Sequence, residues 1–333
     1  MPIQRGFWDD LARPFTVLAP MSGITDAAFR RVLTRYGKPD VMVTEFVPAD
    51  GLCSDGLENL LPILRYSKAE RPIVAQLHGG NPDSFRKAAC IIAELGFDGI
   101  DINMGCPSRA VEGHGGGAVL INNPPLAREI IEAAKAGAAR LPVSVKTRLG
   151  YRTNEADTWL ASLLEASPAA LTIHARTRSQ GYRGAARWEA VKQVAELAHA
   201  MHPDASERPL IIGNGDVGNL VQAWQRAAEN GCDGVMLGRA AWGNPWCFTD
   251  GLQAPERPLC EVLPVMLEHT RLHMELAPPA FRRMEIMRKH FKAYLRGRRD
   301  ATALRKALMQ ARDIADVEST MVVALQVSGT PIT

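Results

Sequence analysis

One thiol stands in a glycine-rich stretch that is typical of an active-site loop. Residues 101–120 begin like the end of a buried strand and then carry Cys106, followed directly by Pro107. Glycines follow at positions 113, 115, 116 and 117, and apolar residues resume at Ala118. Loops at the carboxyl ends of strands hold the catalytic groups of many α/β enzymes. Cys106 is therefore a candidate catalytic residue.

Several roles are possible for Cys106. A nucleophilic thiol needs an adjacent base, and His114 and His174 are candidates; a general acid needs none. Residue types alone do not separate these two roles, and a buried cysteine is often only a small apolar residue. The six cysteines lack the paired spacing of a zinc site or a redox dithiol. We therefore expect free thiols in a reducing compartment and no metal.

The elements that position Cys106 are predicted from short apolar runs, each followed by a stretch compatible with a helix. Alternating strands and helices indicate parallel pairing, and eight such units in about 250 residues indicate a (β/α)8 TIM barrel. A doubly wound open sheet is less favoured, because no early Gly-x-Gly-x-x-Gly turn is present. The first helix is predicted over 26–36, with Thr25 as its cap and Gly37 as its stop. The runs are 16–20, 41–46, 72–77, 98–103, 142–147, 169–174, 209–213 and 233–238.

In such a barrel, the residues that end the strands meet at one mouth. They are rich in amide, cationic and imidazole groups, which points to a polar ligand. The set comprises Pro20, Met21, Ser22, Glu45, Gln76, His78, Asn103, Cys106, Lys146, Arg148, His174, Arg176, Asn214, Gly215, Asp216, Gly238 and Arg239.

Particular members of this set predict a phosphorylated, heterocyclic ligand. The turns 214–216 and 238–239 follow the last two strands, where barrels commonly bind phosphate. Lys146 lies in an apolar run, and a buried lysine needs a negative partner such as a reduced flavin. Gln76 suits the edge of a heterocycle, whereas His174 is equally compatible with a ligand contact and a core residue.

The last part of the chain is predicted to be helical and basic. Helices are expected over about 261–276, 280–296 and 301–325, after a joint containing Pro255 and Pro258. Residues 281–306 contain ten lysine and arginine residues against two acidic ones, and apolar residues at 281, 284, 287, 291 and 294 or 295 mark the opposite face. A solvated face usually mixes signs, so this segment favours a nucleic-acid backbone. We predict a barrel over 1–250 and a basic helical domain over 251–333.

At this point the residues resemble a known family, the tRNA-dihydrouridine synthases. The loop Asp101–Pro107, with the sequence Asp-Ile-Asn-Met-Gly-Cys-Pro, is the most specific of the shared motifs. The likeness spans nearly the whole chain, and the other matching stretches are 18–21, 74–77, 144–150, 174–182, 214–216, 238–240, 243–246 and 287–290.

The resemblance implies an FMN barrel that reduces the C5–C6 bond of particular uridines in tRNA, with NADPH as reductant. Hydride would pass from flavin N5 to uracil C6, and Cys106 would act as a general acid at C5. FMN would be held by Pro20, Met21, Ser22, Gln76, Lys146, His174, Asn214, Gly215, Asp216, Gly238 and Arg239. Asn103, Arg176 and Arg178 would contact the uracil and its phosphates.

The loop after Cys106 departs from the commonest family pattern. Many members carry basic residues there, whereas this chain has Glu112 and His114 before three consecutive glycines. We expect substrate specificity to depend on this segment. The alternatives are a barrel like dihydroorotate dehydrogenase acting on a free pyrimidine, which has no use for the basic helices, and a flavin-free RNA-binding protein.

The composition and the N-terminal sequence also bear on where the protein is located in the cell. The apolar and charged fractions of 46% and 23% are those of an ordinary globular protein. No apolar run approaches the length of a membrane span, and Arg5 with Asp9 interrupts any signal-peptide pattern. We expect a cytoplasmic monomer with tRNA as its partner.

Overall fold

The computed structural model describes residues 3–249, 256–298 and 301–327. Its central element is a sheet of nine short strands, all parallel. They are β1 Phe15–Leu18, β2 Met42–Val43, β3 Val47–Pro48, β4 Ile73–His78, β5 Gly99–Met104, β6 Val143–Arg148, β7 Ala170–His174, β8 Leu210–Asn214 and β9 Gly234–Leu237.

The strands form a nearly closed barrel. Their order is β1-β9-β8-β7-β6-β5-β4-β2, and a parallel bridge between Val17 and Val41 joins β1 to the start of the second unit. The predicted run 41–46 contains β2, and β3 follows directly after it. Both strands pair with β4 and together occupy one barrel position. The prediction of a (β/α)8 barrel is confirmed.

The helices of the barrel alternate with the strands, as a parallel sheet requires. The first helix begins one residue later than predicted, because Asp26 rather than Thr25 caps it by accepting the Phe29 N–H at 2.9 Å. The helices are α1 Ala27–Tyr36, α2 Ala49–Leu52, α3 Leu57–Leu64, α4 Pro82–Glu94, α5 Arg109–Gly113, α6 Pro124–Gly137, α7 Ala161–Glu165, α8 Trp188–Met201 and α9 Leu220–Asn230.

The barrel interior has an apolar lower part and a polar upper part. Val17, Val74 and Ile212 are buried in the lower part, in one apolar cluster with Trp8. Two residues after Val74 and Ile212, the buried positions Gln76 and Asn214 are polar. Because side chains alternate between the faces of a strand, this spacing places the polar groups at the carboxyl ends.

The C-terminal helices pack on the barrel through α1. They are α10 Leu259–Leu276, α11 Met284–Tyr294, α12 Thr302–Leu308 and α13 Ile314–Val327. Val32 of α1 lies in the same apolar cluster as Met287 and Phe291 of α11. The predicted helix 301–325 is interrupted between α12 and α13, and Phe281 lies in a short turn with 52% of its surface exposed rather than on the apolar face.

The division into two domains stays a prediction, and its boundary at residues 250/251 lies outside the described residues. Over the part of the chain that the structure describes, no helix combines the length and the apolar character that a membrane crossing requires.

A buried ion pair fixes α1 to the loop before β4. Arg30 donates from Nε to Glu70 at 2.8 Å, and both side chains are fully buried. The remaining donors of Arg30 reach the carbonyl oxygens of Thr25 and Arg65 at 2.8 and 2.7 Å. The second carboxylate oxygen of Glu70 accepts from the Ser67 N–H at 2.8 Å. The pair is therefore fully hydrogen-bonded, which is the condition under which a buried pair is tolerated.

Replacing Glu70 by alanine should destabilise the protein, because Arg30 would remain buried and unpaired. We expect the free energy of unfolding to fall by about 3–5 kcal/mol in denaturant titrations. The matched control is Glu165→Ala, which breaks the exposed pair with Arg128 and should cost at most about 1 kcal/mol. Equal losses for the two variants would contradict the prediction.

Candidate active site

A cavity of about 1200 Å³ opens at the carboxyl ends of the barrel strands. Pockets that bind drug-sized ligands typically measure about 300–1,000 Å³, so this one can hold a cofactor with a second group beside it. Most of the predicted site residues line it together. These are Pro20, Met21, Ser22, Gln76, Asn103, Cys106, Lys146, His174, Asn214, Gly215, Asp216, Gly238 and Arg239.

A chain of hydrogen bonds runs beneath the loop that carries Cys106. Ser144 Oγ donates to Asp101 at 2.6 Å, and Gln76 Nε2 donates to the other oxygen of that carboxylate at 2.7 Å. Asn103 Nδ2 in turn donates to Gln76 Oε1 at 3.1 Å. Asn103 Oδ1 accepts the backbone N–H of Cys106 at 2.9 Å. Strands β4, β5 and β6 thus fix the start of the Cys106 loop through one polar network.

The far end of this loop is fixed by backbone contacts that only glycine permits. A Cβ on Gly117 would lie 2.6 Å from the Cys106 carbonyl oxygen, and the φ of Gly117 is +66°. A Cβ on Gly116 would lie 2.6 Å from the backbone nitrogen of Gly79. The consecutive glycines therefore let the loop close on itself and on the turn after β4.

The Cys106 thiol is half-buried and protonated at neutral pH. Burial raises its pKa, and Glu112 adds to this, against the Ser108 N–H and the cations Arg148 and Lys146. A protonated thiol fits a general acid better than a nucleophile. Of the two bases predicted as partners, His174 lines the cavity, whereas His114 does not.

Lys146 brings a cation into the barrel mouth. Burial, helped by the charge of Arg148, lowers its pKa to about 8, while Asp101 and Cys106 oppose the shift. Its Nζ donates to Asn214 Oδ1 at 3.3 Å. A lysine in this setting gains from an anionic ligand, as predicted from its position in an apolar strand.

His174 is neutral. Burial lowers its pKa, and the positive charges of Lys146, Arg148 and Arg176 act in the same direction. The Arg176 guanidinium lies 3.5 Å from Nε2. Since a guanidinium only donates, the proton of the ring is assigned to Nδ1, which makes that atom a donor.

The turns after β8 and β9 present free backbone donors. The N–H groups of Asp216, Val217, Arg239 and Ala240 donate to no other described residue, and all four residues line the cavity. Arg239 is 53% exposed in its side chain and pairs with Asp216 at 2.8 Å. Backbone N–H groups beside a cation are a common arrangement for binding phosphate.

Two residues that were predicted to contact the substrate lie outside the cavity lining. Arg176 and Arg178 do not line the cavity, and each is paired with a carboxylate. Arg176 is 2% exposed and donates to Asp216, so it supports the turn after β8. Arg178 donates to Glu112 of the catalytic loop. Their contact with substrate stays a prediction.

Comparison with known proteins identifies the family. The sequence model of the family described as Dihydrouridine synthase (Dus) matches residues 17–328. The chain belongs to the dihydrouridine synthase family. The resemblance predicted from the loop of Cys106 is thereby confirmed, and with it the prediction of an oxidoreductase of this type.

Similar proteins match over almost their whole length. The "Probable tRNA-dihydrouridine synthase 2" of Bacillus subtilis (strain 168) is 40% identical over 315 residues, which cover 94% of each chain. The "Probable tRNA-dihydrouridine synthase" of Staphylococcus aureus (strain MRSA252) is 38% identical over 320 residues, which cover 95% of each chain.

Solved structures support the barrel fold. Histamine dehydrogenase from Rhizobium sp. 4-9 matches with a TM-score of 0.51 and 15% identity, covering 84% of this chain and 48% of that one. The 6-hydroxypseudooxynicotine amine oxidase of Pseudomonas geniculata N1 matches with a TM-score of 0.52 and 13% identity, covering 74% and 49%. At this identity the likeness concerns the fold alone.

Arg148 was expected at the barrel mouth but was given no role there; it donates from Nε to the Gly105 carbonyl oxygen at 2.7 Å and lines the cavity. Other residues of this synthase site were missed by sequence reasoning. Tyr182 is 63% exposed at the cavity, and its ring lies 5.2 Å from the Arg239 guanidinium. Trp242 and, from the helical region, Arg296 also line the cavity, and nothing in their local sequence indicates it.

In flavin-free protein, Lys146→Met should raise the free energy of unfolding at pH 7. The folded-state pKa of about 8 lies below the ordinary value of about 10.4, so the charged lysine costs stability below pH 8. The difference in free energy of unfolding between Lys146→Met and wild type should become smaller between pH 8 and 10. In this range Lys146 keeps its proton only in the unfolded wild-type protein. Denaturant titrations across this range measure it. Lys192→Met, at an exposed lysine of α8, is the control; parallel wild-type and Lys146→Met curves would contradict the assignment.

Proposed function

We propose that this protein reduces the C5–C6 double bond of uridines in tRNA, with FMN as cofactor and NADPH as reductant. The observation that carries the proposal is the half-buried Cys106 thiol at a cavity that also offers a lysine and free backbone donors. Membership of the dihydrouridine synthase family supports this reaction over the reduction of a free pyrimidine.

The cavity residues fit FMN. The free N–H groups of residues 216–217 and 239–240, with Arg239, would hold its phosphate. Lys146 would face the part of the ring system that becomes negative on reduction, and the Nδ1–H of His174 would donate to a ring acceptor. Gln76 lines the cavity while its amide also joins the network beneath Cys106. FMN, when bound and reduced, supplies the hydride that uracil C6 requires.

Cys106 is proposed as the acid that protonates uracil C5. Asn103 and Arg148 hold its loop by hydrogen bonds to Cys106 N–H and to the Gly105 carbonyl oxygen. Reduction adds one hydride and one proton, so the thiol becomes a thiolate and recovers its proton from solvent. Lys146 and Arg148 stabilise this thiolate, because both cations lower the pKa of Cys106.

The basic helix α11 is proposed to bind the tRNA backbone. Its apolar residues Met284, Met287 and Phe291 are buried against the rest of the helical region. Lys292 is exposed, Arg288 and Lys289 are half-buried, and the residues just after the helix reach the cavity. A nucleic acid on this surface is therefore close to the barrel mouth, where a uracil extruded from its stack can enter. The predictions of a cytoplasmic monomer without metal remain predictions.

Wild-type enzyme with FMN, NADPH and unmodified tRNA should form dihydrouridine, measured by mass spectrometry of nucleosides. Cys106→Ala should keep flavin and tRNA binding but lose about 100-fold or more in turnover, since a positioned acid contributes about that much. Cys90→Ala, at an exposed thiol on α4, is the matched control. Undiminished turnover in Cys106→Ala would show that another group protonates C5, and absence of product in wild type would refute the proposed reaction.

Lys292→Glu should weaken tRNA binding and lower its dependence on salt. Losing one phosphate contact reduces the slope of log K against log salt concentration by about 1. Filter binding at several salt concentrations measures both quantities. Lys192→Glu changes the net charge equally on α8 and serves as control. If both variants bind alike, α11 does not contact the tRNA.

A further inference from the structure

An ion pair between Glu112 and Arg178 joins the catalytic loop to the loop after β7. Glu112 Oε1 accepts from Arg178 Nε at 2.8 Å, and Oε2 accepts from Nη2 at 2.5 Å. The side chains are only 12% and 28% exposed. A two-point, charge-assisted contact of this kind is stronger than an ordinary surface pair.

Arg178 is fixed on its own side of this contact. Its backbone N–H donates to the Gly150 carbonyl oxygen at 2.9 Å, and its guanidinium lies 5.1 Å from the centre of the Tyr151 ring. The next residue, Ser179, donates its N–H to the Tyr151 carbonyl oxygen at 2.9 Å. The loop after β7 is thus bound to the segment after β6, which makes Arg178 a fixed point for Glu112.

The position of helix α5, which carries Glu112, depends on tertiary contacts. Helix α5 has five residues and starts three positions after Cys106, and its N-cap Ser108 makes no side-chain cap. Such a short helix does not hold its place by its own hydrogen bonds. Ala110 and Val111 of α5 line the cavity with Cys106. A shift of α5 therefore moves part of the cavity wall together with the thiol.

Resting on the proposed role of Cys106, we propose that Glu112 and Arg178 are a positioning pair for the reaction. Their ion pair holds α5 against the loop after β7 and so fixes the Cys106 thiol at the cavity. This assigns a purpose to the acidic residue at a position where basic residues are common in the family. It also accounts for Arg178 without requiring that it touch the substrate.

The Glu112–Arg178 pair also affects the electrostatic environment of the Cys106 thiol. The charged side chains that act on Cys106 are Arg148 and Lys146 from β6 and Glu112 from α5. Glu112 is the one carboxylate in this group. Its removal would leave the two cations unopposed and would release the Arg178 charge from its partner. Both changes favour the thiolate, so the pH at which Cys106 ionises should fall.

The test compares Glu112→Gln with wild type and with Glu129→Gln, an exposed α6 carboxylate that forms no ion pair with another described residue. Alkylation of Cys106 by iodoacetamide is followed across pH by peptide mass spectrometry, which separates it from the other cysteines. We expect a lower midpoint pH and a roughly 10- to 100-fold lower kcat for Glu112→Gln, because small displacements of a catalytic group have effects of this size. Arg178→Lys keeps the positive charge but loses the two-point contact, so its kcat should fall less than that of Glu112→Gln.

The outcomes separate the proposal from the function on which it rests. A lower kcat with an unshifted alkylation midpoint would mean a general structural role and would overturn the proposal. Unchanged kcat and midpoint would overturn it too, while dihydrouridine formed by wild type would leave the proposed function intact. If wild type forms no dihydrouridine but the midpoint shifts, the function fails and the positioning of the thiol stands.

A second comparison applies if Glu112→Gln does not fold. The double exchange Glu112→Arg with Arg178→Glu is then measured against Arg178→Glu alone. Recovery of kcat in the double variant supports the ion pair, and no recovery overturns the proposal.

Discussion

The hydrogen-bond chain from Ser144 through Asp101, Gln76 and Asn103 is the constraint on which the site depends. Its members come from three adjacent strands, and Gln76 and Ser144 are both ladder partners of Asp101. A slip of one residue in either register would turn these side chains to the other face of the sheet. The barrel register and the placement of Cys106 are therefore fixed by the same contacts. Asn103 transmits them to the loop through the Cys106 N–H.

The cavity above this network is crowded with positive charge. Lys146, Arg148 and Arg239 line it with neutral His174, and Asp216 is the carboxylate that partly balances them. Burial, together with their mutual repulsion, lowers the pKa values of Lys146 and His174. The folded protein thus maintains a charge arrangement that is unfavourable by itself and favourable once an anion is present. Stability is given up at such sites in return for binding.

The helical region completes the site instead of standing apart from it. Its apolar cluster includes Val32 of α1, and Trp246, which follows the last strand, belongs to the same cluster. Ala293 and Arg296 form part of the cavity wall together with barrel residues. For the proposed function, this arrangement would place a ligand bound on the basic helix α11 close to the Cys106 thiol. The shared core keeps the helical surface in a defined position relative to that mouth.

The sequence by itself determined the barrel, the position of the Cys106 loop and most of the strand-end residues that line the cavity. Strand ends in a parallel barrel must converge, so short apolar runs followed by polar residues were sufficient to bring Cys106, Lys146 and Asn214 together. The Dus family was likewise readable from the loop motif alone. These features depend on local pattern and on one topological rule.

Tertiary structure alone decided which polar groups are free and which are already paired. Arg176 and Arg178 looked like substrate residues by type, but carboxylates from residues 216 and 112 neutralise them across 40 and 66 positions of sequence. Arg296 reaches the cavity only because the helical region packs on α1. Charge pairing and domain packing depend on long-range distances, and a linear pattern of residue types does not contain those distances.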